Sequence, residues 1–131
     1  MLMKKMLSPH FSHYEIACRC GCGFDMVSPR LLGLAEKVRE CLNEPMIVHS
    51  VCRCPEWNEK NGGASRSQHM FGRAMDFHCK NMPPIDVYRR ILAAETEGLL
   101  PELGAVLLYN WGVHIDIRPR KGGALLTRDF R

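Results

Sequence analysis

Apolar positions recur along this chain in two rhythms, and each rhythm marks out elements. After Ser28-Pro29, residues Leu31, Leu34, Ala35, Val38 and Leu42 return every three or four positions, with Glu36, Lys37, Arg39 and Glu40 between them. That spacing predicts an amphipathic helix with Ser28 as its cap and Pro29 as its first residue. Pro83-Pro84 opens a second helix, with Val87, Tyr88, Ile91 and Leu92 as its apolar stripe and Gly98 as its stop. The β-prone run 46–51 follows Pro45 and reads as a strand. Between Arg73 and Cys79 the period is two: Ala74, Asp76 and His78 share one face, and Met75 and Phe77 share the other. Runs 104–109 and 113–118 make two further strands, joined through Asn110-Trp111-Gly112 as a hairpin.

These elements predict an α+β domain. A small antiparallel sheet carries its helices on one face and leaves the other for a site. Three stretches lack either rhythm. Residues 1–27, rich in Cys and Gly, read as a wrapping arm with little regular structure. Cys54 to Gln68 reads as a long loop, of the kind that walls active sites. Residues 119–131 read as a basic, solvated tail. With no repeat and no linker, residues 1–131 form a single domain.

Composition narrows the class. A chain of 131 residues can bury one core, and 46% hydrophobic with 24% charged residues is ordinary for a globular protein. No run approaches the ~18 apolar residues of a membrane helix. The start, Met1-Leu2-Met3-Lys4-Lys5-Met6-Leu7-Ser8-Pro9, resembles a leader, but its apolar part stops at Pro9, short of the roughly 7–15 residues a secretory core wants. Cytoplasmic synthesis without a signal peptide is the expectation. The net charge of +4 suits an anionic polymer, yet gives no ground for a nucleic-acid partner.

The seven cysteines are odd in number and spaced Cys-x-Cys at Cys18, Cys20 and Cys22. In an extended segment those three share a face, where they could meet Cys52 and Cys54 as a structural metal site or as disulfides. Reduced thiols in a cytosolic chain are the plainer reading.

The sharpest chemistry lies in Ser67-x-His69-x-x-Gly72-x-Ala74-x-Asp76, followed by Gly112-Val113-His114-Ile115-Asp116. Two segments thus supply two imidazoles together with carboxylates. Two imidazoles and one carboxylate make the ligand set of a hydrolytic zinc site with a position open for water. Gly72 and Ala74 are small, as if backbone passes close to them.

These motifs, with Phe11-Ser12-x-x-Glu15-x-x-Cys18-x-Cys20-Gly21-Cys22-Gly23, Ser50-x-x-Arg53, Asn58 and Gly62-Gly63, resemble the zinc D-Ala-D-Ala carboxypeptidase family of peptidoglycan peptidases. That family shares its fold with bacterial dipeptidases, phage L-alanyl-D-glutamate endopeptidases and the hedgehog signalling domain. The resemblance implies one zinc ion held by His69, Asp76 and His114. It implies that Arg53 steadies the oxyanion and that Ser67 helps orient substrate or ligand. The implied substrate is the peptidoglycan stem peptide, cut by carboxypeptidase or endopeptidase action. A monomer is expected, reaching the cell wall or periplasm after release, as a phage or prophage lysis enzyme would. Many members carry Glu or Asp three residues before the last histidine ligand as catalytic base, and here that position is Trp111. Strand parity sets Asp116 beside His114, either as that base or as a carboxylate holding the imidazole in its tautomer.

Two other classes compete. A catalytically silent zinc-binding interaction module of the same fold is favoured by Trp111. A ferrous oxygenase also uses two histidines and a carboxylate. Its distal histidine is expected after the His-x-Asp pair, and no histidine follows Asp116, which ranks it last.

Overall fold

The computed structural model describes residues 5–131, so the first four residues of the leader-like start, 1–4, lie outside them. Both helices form where the apolar stripes place them. Helix α2 (Pro29–Leu42) begins on Ser28, whose hydroxyl accepts from the Arg30 amide, and ends on Asn43 in the left-handed region at φ 52°. Helix α4 (Pro84–Thr96) turns its Val87, Ile91 and Ala94 inward. Five strands make the main sheet: β3 (Ile47–Ser50), β4 (Ala74–His78), β5 (Ala105–Leu108), β6 (Val113–Asp116) and β7 (Leu126–Asp129), in spatial order β3-β4-β6-β5-β7. Met75, Phe77, Val106, Leu108, Val113 and Ile115 point to one face and join Leu31, Leu34, Val38 and Ile91 in the core. The other face carries Asp76 and His114, which stand opposite each other in the β4/β6 ladder.

Several expectations need correction. The sheet is not wholly antiparallel, because β7 pairs in parallel with β5. The tail after residue 119 is therefore not a free solvated end. It supplies hydrogen-bond partners to the edge of β5, which an apolar strand cannot leave bare without risk of association. Residues 5–27 are also more ordered than an arm without regular structure. Strands β1 (Met6–Ser8) and β2 (Phe11–Ser12) pair, and a single helical turn α1 (His13–Ile16) follows. Ser12 and Glu15 cap that turn reciprocally, each accepting from the other's backbone amide. Glu36 on α2 ties the arm down by accepting from the Ser8 hydroxyl at 2.7 Å and the His10 amide at 2.8 Å.

The stretch from Cys54 to Gln68 is not a loop throughout. Pro55–Lys60 is a short helix, α3, opened by Cys54, whose sulfur accepts from the Trp57 amide at 3.4 Å. Proline at the first helical position favours this start just as it does at Pro29. Asn61 to Ser67 remains loop, and a 3₁₀ turn at Gln68–Phe71 leads into β4. Gly72 ends that turn at φ 64°, and a Cβ there would collide with the Met26 carbonyl. The arm thus passes directly over the entry to the site strand.

Candidate metal centre

Three elements deliver three side chains to one point. β4 presents Asp76, its neighbour β6 presents His114, and the 3₁₀ turn before β4 presents His69. Their ligand atoms all lie within 4.8 Å of one another, and all three residues are buried. Asp76 Oδ1 is 2.7 Å from His114 Nδ1, and Asp76 Oδ2 is 3.1 Å from His69 Nε2. Bonds of about 2.0–2.2 Å in a tetrahedron set donors about 3.3–3.6 Å apart, so both pairs would open slightly to admit a zinc ion.

Each imidazole is fixed from behind. His69 Nδ1 donates to the Val51 carbonyl at 2.8 Å, which leaves the Nε2 lone pair facing Asp76. His114 Nε2 donates to Asp116 Oδ2 at 2.7 Å, which turns Nδ1 toward the same point. His69 Nε2, although close to Asp76, makes no aligned hydrogen bond and is a buried polar atom without a partner. Such an atom is costly unless something else satisfies it. A cation between the three donors would do so, and the donor set of two imidazoles and a carboxylate fits zinc.

The electrostatics agree. Burial alone would raise the Asp76 pKa, but the His114 hydrogen bond and the adjoining His69 ring hold it well below the usual carboxylate range. Burial works against charge on His114, yet its bonds to Asp116 and Asp76 push its pKa up to about 9. The metal-free site therefore stores a proton where a cation would sit.

The triad floors an open cleft of about 420 Å³, lined also by Arg53, Arg66, Ser67, Tyr109, Trp111 and Arg118. Arg53 donates to Asp76 Oδ2 at 3.1 Å and to the Ser50 hydroxyl at 3.0 Å, so its guanidinium lies beside the carboxylate. The backbone carries it there, because the Arg53 amide donates to the His69 carbonyl at 3.1 Å. The Ser67 hydroxyl accepts from the His69 amide at 3.2 Å and caps the turn that positions this imidazole. Trp111, which is exposed, stacks on Tyr109, and Tyr109 stacks on Phe130.

Asp116 lies behind the His114 ring, fully buried. Its oxygens are taken by His114 and by Arg118, whose Nε and Nη2 reach it at 2.9 and 2.6 Å. A carboxylate so enclosed has no route to a water in the cleft, so the base role weighed for Asp116 does not suit this position. Glu56 and Glu59, the carboxylates of α3, are exposed and outside the cleft lining. Arg118 went unread in the sequence, although the parity that pairs His114 with Asp116 extends to it. His49 pairs with His78, Nε2 to Nδ1 at 2.6 Å, and lies tilted against Trp111 at 5.2 Å between ring centres. With Arg19, Ser50, Trp57 and Asp76 it lines a groove that adjoins the cleft.

A buried pair of back-bonded imidazoles and one carboxylate at the floor of an open cleft is the architecture of a metallohydrolase. A family model described as Peptidase M15 matches residues 9–116, most of the 131-residue chain. The chain belongs to this family of zinc-dependent metallopeptidases. No curated protein matches it.

Proposed function

We propose that this chain is a zinc-dependent peptidoglycan peptidase that cleaves an amide bond in the cell-wall stem peptide. The observation that supports it best is the His69–Asp76–His114 cluster opening into a cleft whose charged walls are Arg53, Arg66 and Arg118. Stem peptides carry carboxylates on side chains and chain ends, and guanidinium groups pair with carboxylates in forked geometry. The substrate class itself comes from the sequence resemblance. A phage or prophage lysis setting accords with it. No helix among the described residues is long and apolar enough to cross a membrane.

His69 through Nε2, Asp76 through its carboxylate and His114 through Nδ1 would hold the zinc. Zinc so held supplies a Lewis acid and brings a water pKa to about 7. The protein's own groups do the remainder. The Val51 carbonyl and Asp116 keep both imidazoles in the tautomer that binds. Arg118 holds Asp116 ionised behind His114, since burial alone would raise its pKa while His114 and Arg118 lower it. Arg53 stands where it can meet negative charge growing on a scissile carbonyl beside Asp76, and such donors count most in a partly dry site. His49 lies against Trp111, the position where many members of the family carry an acid. Burial, then the neighbouring His78, lowers its pKa, so it is neutral at pH 7 and able to accept a proton.

A silent zinc-binding module of the same fold is the second reading, favoured by one observation. Apart from Asp76, no carboxylate among the described residues lines the main cleft. The two separate on purified peptidoglycan treated with the zinc-loaded protein. Stem-peptide fragments in the mass spectrum, absent with His69→Ala, support the peptidase. An intact sacculus with a full complement of zinc leaves the binding module.

A further inference from the structure

Three of the seven cysteines are packing residues: Cys52 and Cys79 belong to the core, and Cys41 lies against it. The other four converge. Cys18, Cys20, Cys22 and Cys54 bring their sulfurs within 4.8 Å of one another, although Cys54 is more than thirty positions along the chain from the rest. Cys52, weighed with them from the sequence, turns inward instead. The three arm cysteines meet around a turn, not along a strand face.

The geometry points to a second metal site: we propose that Cys18, Cys20, Cys22 and Cys54 hold a structural zinc ion as four thiolates, pinning the arm to the loop that carries Arg53. Zinc–sulfur bonds of about 2.3 Å in a tetrahedron set the sulfurs about 3.8 Å apart. Cys18 and Cys20 stand at 3.4 Å and Cys20 and Cys54 at 3.6 Å, while a disulfide needs about 2.05 Å. All seven cysteines are free thiols here.

The surrounding backbone is shaped for sulfur. Gly21 and Gly23, at φ 83° and 91°, turn the chain back between and after the ligands, where a side chain would be strained. Backbone amides aim at the sulfurs: Cys54 N at Cys18 Sγ (3.4 Å), Trp57 N at Cys54 Sγ (3.4 Å) and Phe24 N at Cys22 Sγ (3.5 Å). Amide donors of this kind stabilise thiolate charge and orient the ligands. On binding, Zn²⁺ takes the place of the thiol protons, which leave to solvent. Four thiolates close the tetrahedron, as structural zinc sites do. The consequence for the cleft is mechanical, because Cys54 is bonded to Arg53 and caps α3.

Metal analysis of the full chain, purified without chelator, tests this. The expected result is two zinc ions per chain, falling to one in Cys20→Ser/Cys22→Ser and to one in His69→Ala/His114→Ala. Cobalt substitution of the unaltered protein gives a second readout that needs no variant. A thiolate-to-cobalt charge-transfer band should appear, persist in the histidine variant and vanish in the cysteine variant. A single zinc lost only with the histidines, or a mass two hydrogens lighter per bonded cysteine pair, overturns the proposal. A single zinc lost only with the cysteines would instead sink the metallopeptidase reading and leave this one standing.

Discussion

The two clusters suited to metal are carried by the same chain but are made differently. Asp76 and His114 come from the centre of the sheet and His69 from the 3₁₀ turn that enters it, with exposures of 7%, 7% and 2%. Paired strands fix two of them, and each imidazole has its own second hydrogen bond. Cys20 and Cys22 are exposed and stand on turns, Cys20 held by contact with the Cys18 and Cys54 sulfurs and Cys22 by the Phe24 amide. The first cluster is held by paired strands, and the second by turns shaped around its sulfurs. Pre-organisation with an open side suits catalysis, and closure by four like ligands suits structure. Ligands on paired strands beside an open cleft and ligands on turns around a closed ion should therefore fail in different ways.

The largest difference should come from the triad itself. His69→Ala or His114→Ala is expected to abolish peptidoglycan cleavage and empty the central site, with zinc at the four thiols retained, as metal analysis beside an activity assay would register. Next in size, Arg53→Ala should lower kcat by about 10²–10³, the usual loss for one donor at an oxyanion. Zinc content should be unchanged, and a rise in KM alone would reassign Arg53 to anchoring substrate. Asp116→Asn should weaken central zinc binding about 10–100-fold, the range for partners behind a metal-bound histidine. Excess zinc should restore turnover, and loss of turnover at full zinc would return Asp116 to the base role.

A pH titration sharpens the contrast further. His114 in the metal-free protein keeps its proton up to about 9, so zinc must displace that proton at neutral pH. Its apparent affinity at the central site should rise about tenfold per pH unit from ~7 to ~9 and then level. The folded pKa is raised, so its contribution to metal-free stability is complete below the unfolded value of about 6.5 and is lost as pH rises through about 9. Melting of chelated protein across that window should show the fall, while zinc-loaded protein should not. The smallest effect belongs to Phe130→Ala, which removes the outer ring stacked on Tyr109. Denaturation should report about 0.5–1.5 kcal/mol, with both zinc ions in place.

Much of this arrangement was legible in the sequence because period and site agreed. The stripe from Leu31 to Leu42 and the alternation through Asp76 each obey one geometric rule, and both elements stand where those rules put them. What escaped was short or closed over long distances. Helix α3 has six residues and a cysteine cap, too little for a stripe and an uncommon cap type. The Ser12–Glu15 capping box was in plain view as Ser-x-x-Glu, but one helical turn has no periodicity to support it. β7 earns its place by covering the edge of β5, and nothing within residues 126–129 announces a parallel partner. Asp116 was rightly set beside His114 by parity. Only the pairing with Arg118 reveals that its carboxylate is spent behind the ring.

The cross-strand position of Asp76 and His114 carries a consequence for how the cleft can change over time. A one-residue slip between β4 and β6 would send His114 and Asp116 into the helix-covered core and bring Val113 and Ile115 out in their place. Intermediate alignments do not exist, so the ligands cannot drift by small steps. Variation has a freer field in Asn61 to Ser67, which contributes much of the cleft rim and belongs to no strand. Diversification in this architecture would then proceed by exchanging that rim segment over an immobile floor, and a library confined to residues 61 and 64–66, which spares Gly62 at φ 68° and Gly63 packed on Asn58, is where altered peptide preference should be sought.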